Sequence, residues 1–176
     1  NAQLGELARE ANRVASRLTS LNGFTAALAQ AVTPSRVAEI VVEQGVIALG
    51  AVAGALTLLS RDGRTLEVVR WLGYDEALVE RFRRISIDDS IPLADAVRTG
   101  RPVYVVSEVD FAQRYPAVAR TPGVRQRGAW AAIPLTVENR TLGALGLTFP
   151  EPRDFCAEDQ EFMLALCRQC AQALDR

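Results

Sequence analysis

Two pairs of apolar segments, each pair joined by a short turn sequence, most constrain the fold of this chain. In chain order, the segments and turns are residues 51–60, Asp62-Gly63 and 65–73, then 129–137, Glu138-Asn139 and 140–149. Turn residues of this kind between two apolar runs indicate a β-hairpin. Consecutive hairpins form an antiparallel sheet. Because the runs are almost continuously apolar, we expect both faces of this sheet to be covered.

Helical signals surround the hairpins. Apolar spacing and breakers predict helices at residues 4–30, 34–48, 75–84, 92–99, 110–120 and 157–174, with a short strand at 102–106. Thr33 caps the second helix and Pro34 lies in its first turn. Gly100 closes the fourth helix, and Pro116 interrupts the fifth. This order predicts an α+β fold with a central antiparallel sheet of five to six strands.

The composition excludes most enzyme classes. The chain contains no His, and its 20 Lys and Arg residues are all Arg. Without His there is no Ser-His-Asp triad and no His-ligated haem or zinc. Without Lys there is no Walker phosphate loop and no Schiff-base chemistry. We therefore expect no catalytic residues, no metal site and no enzyme activity in this chain.

Charge and hydropathy bound the partners and the compartment. The net charge is −1 with both signs interspersed, so nucleic acid is not expected as a partner. The longest apolar run, residues 48–59, is too short and too Gly-interrupted to span a membrane. Three Cys fit a reducing cytosol, which predicts a cytoplasmic protein. Since the chain begins at Asn1 without Met, we expect a fragment, with Asn1-Ala2 compatible with a cloning remnant.

The first predicted helix carries a heptad pattern. Its 4/3 spacing connects Leu4, Leu7, Ala11, Val14, Leu18, Leu21, Thr25 and Leu28. Such a narrow stripe favours pairing with a second copy of the chain, whereas an ordinary amphipathic helix would pack on its own domain. Asn22-Gly23 weakens this helix by roughly 1 kcal/mol and would favour a bend or break. A similar spacing of Met163, Leu166, Cys170 and Ala173 offers a second dimer contact.

Several motifs together resemble the GAF domain family over about residues 20–175. They are the strand end Ala131-Ala-Ile-Pro-Leu135, the segment Gly143-Ala-Leu-Gly-Leu147, the helix opening Pro152-Arg-Asp-Phe-Cys-Ala-Glu-Asp159 and the mid-domain stretch 91–103. The resemblance implies terminal helices on one sheet face and a ligand pocket under short helices on the other. It also implies homodimers and an output domain such as a histidine kinase, phosphatase or cyclase. We therefore divide the chain into a signalling and dimerisation helix, residues 1–30, and a GAF domain, residues 31–176.

The ligands of known GAF subgroups are disfavoured here. The cyclic-nucleotide subgroup carries an Asn-Lys-x-Phe-Asp-Glu signature, which this chain lacks. The bilin subgroup attaches its chromophore to a Cys beside a His, and this chain has no His and no Cys before Cys156. We expect no haem, bilin, cyclic nucleotide or other cofactor, and an unidentified small molecule as the ligand.

Side-chain alternation from the two turns assigns one sheet face to small residues. With two-residue turns, this face carries Ala55, Thr57, Leu59, Leu66, Val68, Arg70, Ala129, Ala131, Ile133, Ala144, Gly146 and Thr148. The opposite face carries Leu56, Leu58, Ala132, Leu145 and Leu147, together with Trp71 and Trp130 as core residues. Small side chains leave volume that helices or a ligand must fill.

The predicted pocket combines the small face with side chains from the short helices. Its residues are Ala55, Thr57, Arg70, Phe82, Leu93, Val97, Phe111, Tyr115, Ala131, Gly146 and Thr148. Arg70 would clamp an anionic group of the ligand. Alternatively, Arg70 lies at the sheet edge and extends to water.

Three functions remain open at this level. The first is a dimeric sensor that binds a small molecule, and the second is a ligand-free dimerisation module. The third is a GAF-fold free methionine sulfoxide reductase, which requires cysteines in the pocket. Cys167 and Cys170 fall in the middle of a predicted helix, which favours core residues over a redox pair, and Cys156 precedes that helix.

Overall fold

The computed structural model describes residues 2–176; Asn1, half of the suspected cloning remnant, lies outside the described residues. In chain order, the elements are α1 (Ala2–Gln30), α2 (Pro34–Leu49), β1 (Ala53–Leu59), β2 (Thr65–Leu72), α3 (Glu76–Arg81), β3 (Arg84–Ser86), α4 (Pro92–Thr99), β4 (Val103–Val105), α5 (Glu108–Arg114), α6 (Pro116–Ala119), β5 (Ala129–Val137), β6 (Arg140–Phe149) and α7 (Ala157–Asp175).

The six strands form one antiparallel sheet in the order β3-β2-β1-β6-β5-β4. Both predicted hairpins are confirmed, and the fold class is α+β as expected. Glu138 and Asn139 have φ angles of 49° and 65°, the left-handed backbone that a tight two-residue hairpin turn requires. The short edge strand β3 was not predicted, because three residues carry too little periodicity to distinguish a strand from a loop.

The predicted helices are present; the one at 75–84 already ends at Arg81, and two others differ more. Helix α1 runs without interruption through Asn22-Gly23, because Phe24 and Leu28 beyond it are buried and hold that end of the helix in place. The predicted helix 110–120 is two helices, α5 and α6, that meet at Tyr115, because Pro116 cannot continue a helix from the preceding turn. No helix within residues 2–176 is long and apolar enough to cross a membrane.

One face of the sheet, which we call the helix face, packs against α2 and α7, and the C-terminal half of α1 packs on these two helices. Its buried core includes Leu56, Leu145 and Leu147. These leucines were predicted to face the long helices, and this prediction is confirmed. The C-terminal residues of the α1 heptad stripe belong to this core, since Leu28 is buried in it and Leu21 packs against it.

The N-terminal half of α1 extends beyond this core. Its stripe residues are exposed, with relative accessibilities of 67% for Leu4, 62% for Leu7, 45% for Val14 and 57% for Leu18. The domain itself therefore covers only the C-terminal end of the predicted stripe.

The first hairpin contains a β-bulge that overturns the predicted faces at its far end. Thr57 pairs with Val68 as predicted, but Leu56 pairs with Arg70 and Ala55 with Trp71. Residue 69 is therefore an extra residue in β2, and every side chain beyond it changes face. The predicted placement of Arg70 over the pocket is wrong: its guanidinium lies 3.7 Å from Glu39 and 3.8 Å from Glu43 of α2. Trp71 pairs with Ala55 and lies on the same face as Ala55, so its predicted place on the face of Leu56 is wrong as well.

A second bulge reverses the predicted faces of β5. Thr136 pairs with Thr141, but Leu135 pairs with Gly143, so residue 142 is the extra residue. A Cβ on Gly143 would lie 2.0 Å from the Thr57 carbonyl oxygen, so only glycine fits where β6 leaves the bulge. Consequently Ala131 pairs with Leu147 on the helix face, and Trp130 pairs with Thr148 on the opposite face. The predicted faces of Ala131 and Trp130 are therefore wrong.

A buried carboxylate joins three separate parts of the fold. Asp159 in the first turn of α7 accepts hydrogen bonds from Arg17 of α1 and from Nε and Nη2 of Arg153, at 3.1 and 2.9 Å for the latter. Arg153 also donates to the Leu49 carbonyl at the end of α2, 2.8 Å away. Burial alone would raise the pKa of Asp159, but the bonds from the two guanidinium groups outweigh it and lower the pKa.

Replacing this carboxylate should destabilise the domain. We expect Asp159→Asn to lower the free energy of unfolding by about 2 kcal/mol at neutral pH, because two partly buried guanidinium groups lose their anion. Since the folded-state pKa of Asp159 is depressed, its contribution is complete above the unfolded value of about 3.9 and fades as pH falls through the lower folded value. Urea unfolding of the wild-type domain and the variant tests this at neutral pH and at an acidic pH below the unfolded value, where the difference should shrink.

The neighbouring Glu158→Gln is the matched control. Its carboxylate forms an exposed pair with Arg13 at 3.3 Å, so its removal should change stability by less than about 0.5 kcal/mol. Equal stability of the two variants at neutral pH would contradict the assigned importance of Asp159.

Candidate ligand-binding cavity

The second face of the sheet, which we call the cavity face, lies under the short helices. Its floor consists of Ala55 and Val68 from the first hairpin and Ala132, Gly146 and Thr148 from the second. Helices α3, α4 and α5 lie above it and contribute aliphatic and aromatic side chains. Between floor and helices a cavity of about 160 Å³ remains.

The small floor residues cause this cavity. Gly146 lies directly under Leu93 of α4: a Cβ built on Gly146 would be only 3.2 Å from the Leu93 Cδ2 atom. The backbone of β6 therefore approaches α4 closely, while neighbouring floor positions stay unfilled because they carry alanine. A cavity of roughly 150 Å³ with apolar walls accommodates benzene. This cavity is thus the size of one aromatic ring.

Aromatic side chains form one wall of the cavity. The rings of Phe111 in α5 and Trp130 in β5 stack with centroids 4.3 Å apart. Tyr115 follows behind them and donates a hydrogen bond of 2.7 Å to Asp95 of α4. Burial and this bond raise the pKa of Tyr115 to about 12, so it remains a donor at neutral pH. This bond fixes α4 and α5 relative to each other above the floor.

Two hydroxyl groups provide polarity in the otherwise apolar wall. The Tyr74 and Thr148 hydroxyl oxygens lie 2.7 Å apart, and both residues border the cavity. Burial raises the pKa of Tyr74, so its hydroxyl stays protonated. Gly73 brings Tyr74 inward through a turn with φ of 82°, where any Cβ would lie 2.2 Å from the Val52 carbonyl oxygen.

A single charged side chain borders the cavity within the part of the chain that the structure describes. Arg125 belongs to the loop between α6 and β5 and is exposed. The preceding Gly123 lies against Leu78 of α3, with a built Cβ 3.7 Å from the leucine Cδ1 atom. Arg125 therefore borders both the cavity and solvent, on a loop that packs against α3.

The structure places the predicted pocket residues in two groups. Those that border the cavity are Ala55, Phe82, Leu93, Phe111, Ala131, Gly146 and Thr148. Ala131 does so from a position whose side chain belongs to the helix-face core. The residues that do not border it are Thr57, Arg70, Val97 and Tyr115. That the residues of the first group bind a ligand stays a prediction.

Each residue of the second group has another role. Thr57 is on the cavity face but donates its hydroxyl to the Ala144 carbonyl 3.0 Å away. Val97 packs in a neighbouring apolar cluster with Leu66. Tyr115 bonds to Asp95, and Arg70 lies across the sheet beside α2.

Sequence reasoning found Thr148 but missed the other polar residues, Tyr74 and Arg125, and most of the walls. Trp130 and Ala132 were assigned to the wrong face because the bulge at residue 142 has no local signature. Tyr74 had a usable signal, since an aromatic residue directly after a glycine at a strand end often turns into the core. The remaining residues that were not predicted are Val68, Leu78, Val79, Ile85, Ile91, Pro92, Val118, Gly123, Val124 and Leu147.

The cysteines lie away from the cavity. Cys167 and Cys170 are buried in α7 on the helix face, and burial raises the pKa of both thiols, that of Cys170 to about 12. They are therefore thiols in the core, as predicted. Cys156 is exposed at the start of α7 and its side chain makes no capping hydrogen bond. No group of three or more Cys, Asp or Glu side chains within residues 2–176 could hold a metal ion.

The sequence profile of the GAF domain family matches residues 31–175. The chain belongs to the GAF domain family. Regulatory domains of signalling proteins are typical members. No curated protein sequence matches the chain.

Solved structures similar to this GAF domain share its fold at low sequence identity. A GAF domain from a phosphoenolpyruvate-protein phosphotransferase of Coxiella burnetii has a TM-score of 0.78 at 19% identity, over 91% of this chain and 93% of that one. The second GAF domain of DevS from Mycobacterium smegmatis has a TM-score of 0.63 at 22% identity, over 81% and 94%. A free methionine-R-sulfoxide reductase from Neisseria meningitidis, in complex with its substrate, has a TM-score of 0.68 at 15% identity, over 90% and 88%.

Adjacent alanines on opposite faces of β5 test the assignment of the faces. We expect Ala131→Leu to lower the free energy of unfolding by about 1–3 kcal/mol, because its side chain enters a filled core under α2 and α7. Ala132→Leu adds the same atoms to the cavity and should change stability by less than about 1 kcal/mol. Chemical denaturation measures both. A larger loss for Ala132→Leu than for Ala131→Leu would contradict the register.

Proposed function

We propose that this GAF domain is a non-catalytic sensory module of a larger cytoplasmic signalling protein, and that it binds a small, mostly apolar molecule in the cavity. The observation that carries the proposal is a ring-sized cavity of about 160 Å³ with apolar walls and one exposed charged side chain, Arg125, at its border. Small, mainly apolar concavities with a few placed polar groups are typical ligand sites. A molecule that fills this space would supply van der Waals contacts to wall atoms that otherwise have no partner on that side.

A sensor also requires a connection from the cavity to the helices. The Arg153 backbone amide donates to the Val106 carbonyl just after β4, at 2.9 Å. Its guanidinium binds Asp159 of α7, and Asp159 binds Arg17 of α1. We propose that a shift of β4 and β5 under an occupied cavity changes the anchoring of α1 through these contacts.

The exposed half of α1 is the proposed dimer contact. Leu4, Leu7, Val14 and Leu18 follow a heptad stripe and expose 45–67% of their surface. A stripe of this spacing fits another helix with the same spacing, which a second copy of the chain supplies. We therefore propose that two copies pair through α1, with α7 close to the pair, and that the output domain responds to their arrangement.

The cysteine positions argue against the enzymatic alternative. Reduction of a sulfoxide requires a thiol at the substrate, and none of the three cysteines borders the cavity. The likeness to the reductase extends to the fold only, at 15% identity. A domain without any ligand, serving only to dimerise, is the remaining alternative, and the next experiment distinguishes it.

Ligand binding can be tested with ring-sized apolar probes. We expect benzene or toluene, at about ten times its dissociation constant, to raise the thermal unfolding midpoint by roughly 3–6 °C. Ala132→Leu should remove this shift, because its side chain occupies the same space. The absence of any shift in the wild-type domain would favour the ligand-free alternative, and an equal shift in Ala132→Leu would place binding elsewhere.

Dimerisation can be tested by placing amides within the stripe. We expect the double variant Leu7→Asn and Leu18→Asn to be monomeric at tens of micromolar in sedimentation velocity, while the wild-type domain is a dimer. The same two substitutions at Arg9 and Ser16, on the opposite side of α1, are the control and should leave the dimer intact. A monomeric wild-type domain, or a double variant that remains dimeric, contradicts this contact.

A further inference from the structure

The polar groups of the cavity define which chemical class of ligand it would take. We propose that the ligand is a monocyclic carboxylic acid, bound as its anion, with the ring in the cavity and the carboxylate beside Arg125 at the solvent-exposed border. This inference rests on the proposed function, since it assumes that the cavity is a ligand site. It specifies the charge, the size and the orientation of the molecule.

The size of the cavity limits the apolar part of the ligand to one ring. The volume of about 160 Å³ is close to the roughly 150 Å³ in which benzene binds. Trp130 and Phe111 stack on each other along one wall, and Leu93 lies over Gly146 on another. A bicyclic or nucleotide-sized molecule would require these contacts to open.

The hydroxyl pair favours a hydrogen-bond acceptor on the ligand. Tyr74 and Thr148 together carry two O–H protons, and the bond between their oxygens uses one of them. Among the described residues, neither hydroxyl makes another hydrogen bond, so one proton stays available at the cavity wall. A ligand oxygen that accepts this remaining proton would stabilise the complex, because a buried donor without a partner costs free energy.

Arg125 adds a donor with a positive charge. It makes no ion pair or hydrogen bond within the described residues, whereas Arg127 of the same loop pairs with Glu151. No acidic side chain borders the cavity in the described part of the chain. Both polar features therefore present donors, and an acceptor-only anion such as a carboxylate complements them, whereas an ammonium group would not.

Calorimetric titration with benzoate and benzamide tests this inference. The two molecules have nearly the same shape, and only benzoate is charged at neutral pH. We expect the wild-type domain to bind benzoate roughly five- to tenfold more tightly than benzamide, and high salt to reduce the difference. Arg125→Gln should make the two affinities equal and leave benzene binding unchanged. Arg127→Gln, with the same change in charge, should retain the preference.

The outcomes separate this inference from the proposed function. If benzamide or benzene binds the wild-type domain as tightly as benzoate, the cavity is a ligand site and the inferred carboxylate is wrong. The same holds if Arg125→Gln leaves the preference for benzoate intact. If none of the three probes binds, the proposed function fails and the carboxylate inference fails with it.

Discussion

A sheet that is apolar on both faces is the constraint on which this structure depends. Buried apolar surface stabilises a fold only where it is covered, so each face requires a layer of its own. The helix face presents large leucines; α2 and α7 pack on them, and half of α1 packs on α2 and α7 in turn. The cavity face presents alanines and Gly146, and the short helices above it are held by their own contacts, such as Tyr115 with Asp95. The difference in side-chain size between the faces leaves the cavity.

The same constraint explains why one half of α1 is anchored and the other is not. Phe24 and Leu28 complete the cover of the helix face, and Arg17 reaches Asp159 at its margin. Towards the N-terminus from Arg17, the apolar stripe continues through Val14, Leu7 and Leu4, which are exposed. In the proposed sensor, signalling through α1 would act at the contact between Arg17 and Asp159.

Strand positions and fold class followed from the sequence, because they depend on local patterns that span many residues. The bounds of β5 and β6 were predicted correctly from the apolar runs and the turn at Glu138-Asn139. The sheet face of each residue was predicted correctly only where the assumed strand register is the observed one. Ala55 and Gly146 were placed correctly, but the extra residues 69 and 142 reversed the faces of Arg70 and Ala131. A bulge depends on tertiary contacts, such as the approach of Gly143 to β1, and no local pattern reveals it.

The central claim is that the cavity face of the sheet is a ligand site. Amide NMR of the isotopically labelled domain during titration with benzene tests it most directly, because each floor residue reports separately. The account predicts that the shifts concentrate on Ala55, Ala132, Gly146 and Thr148 and are small along α1 and α7. Shifts centred on α1, or none at saturating benzene, would contradict it.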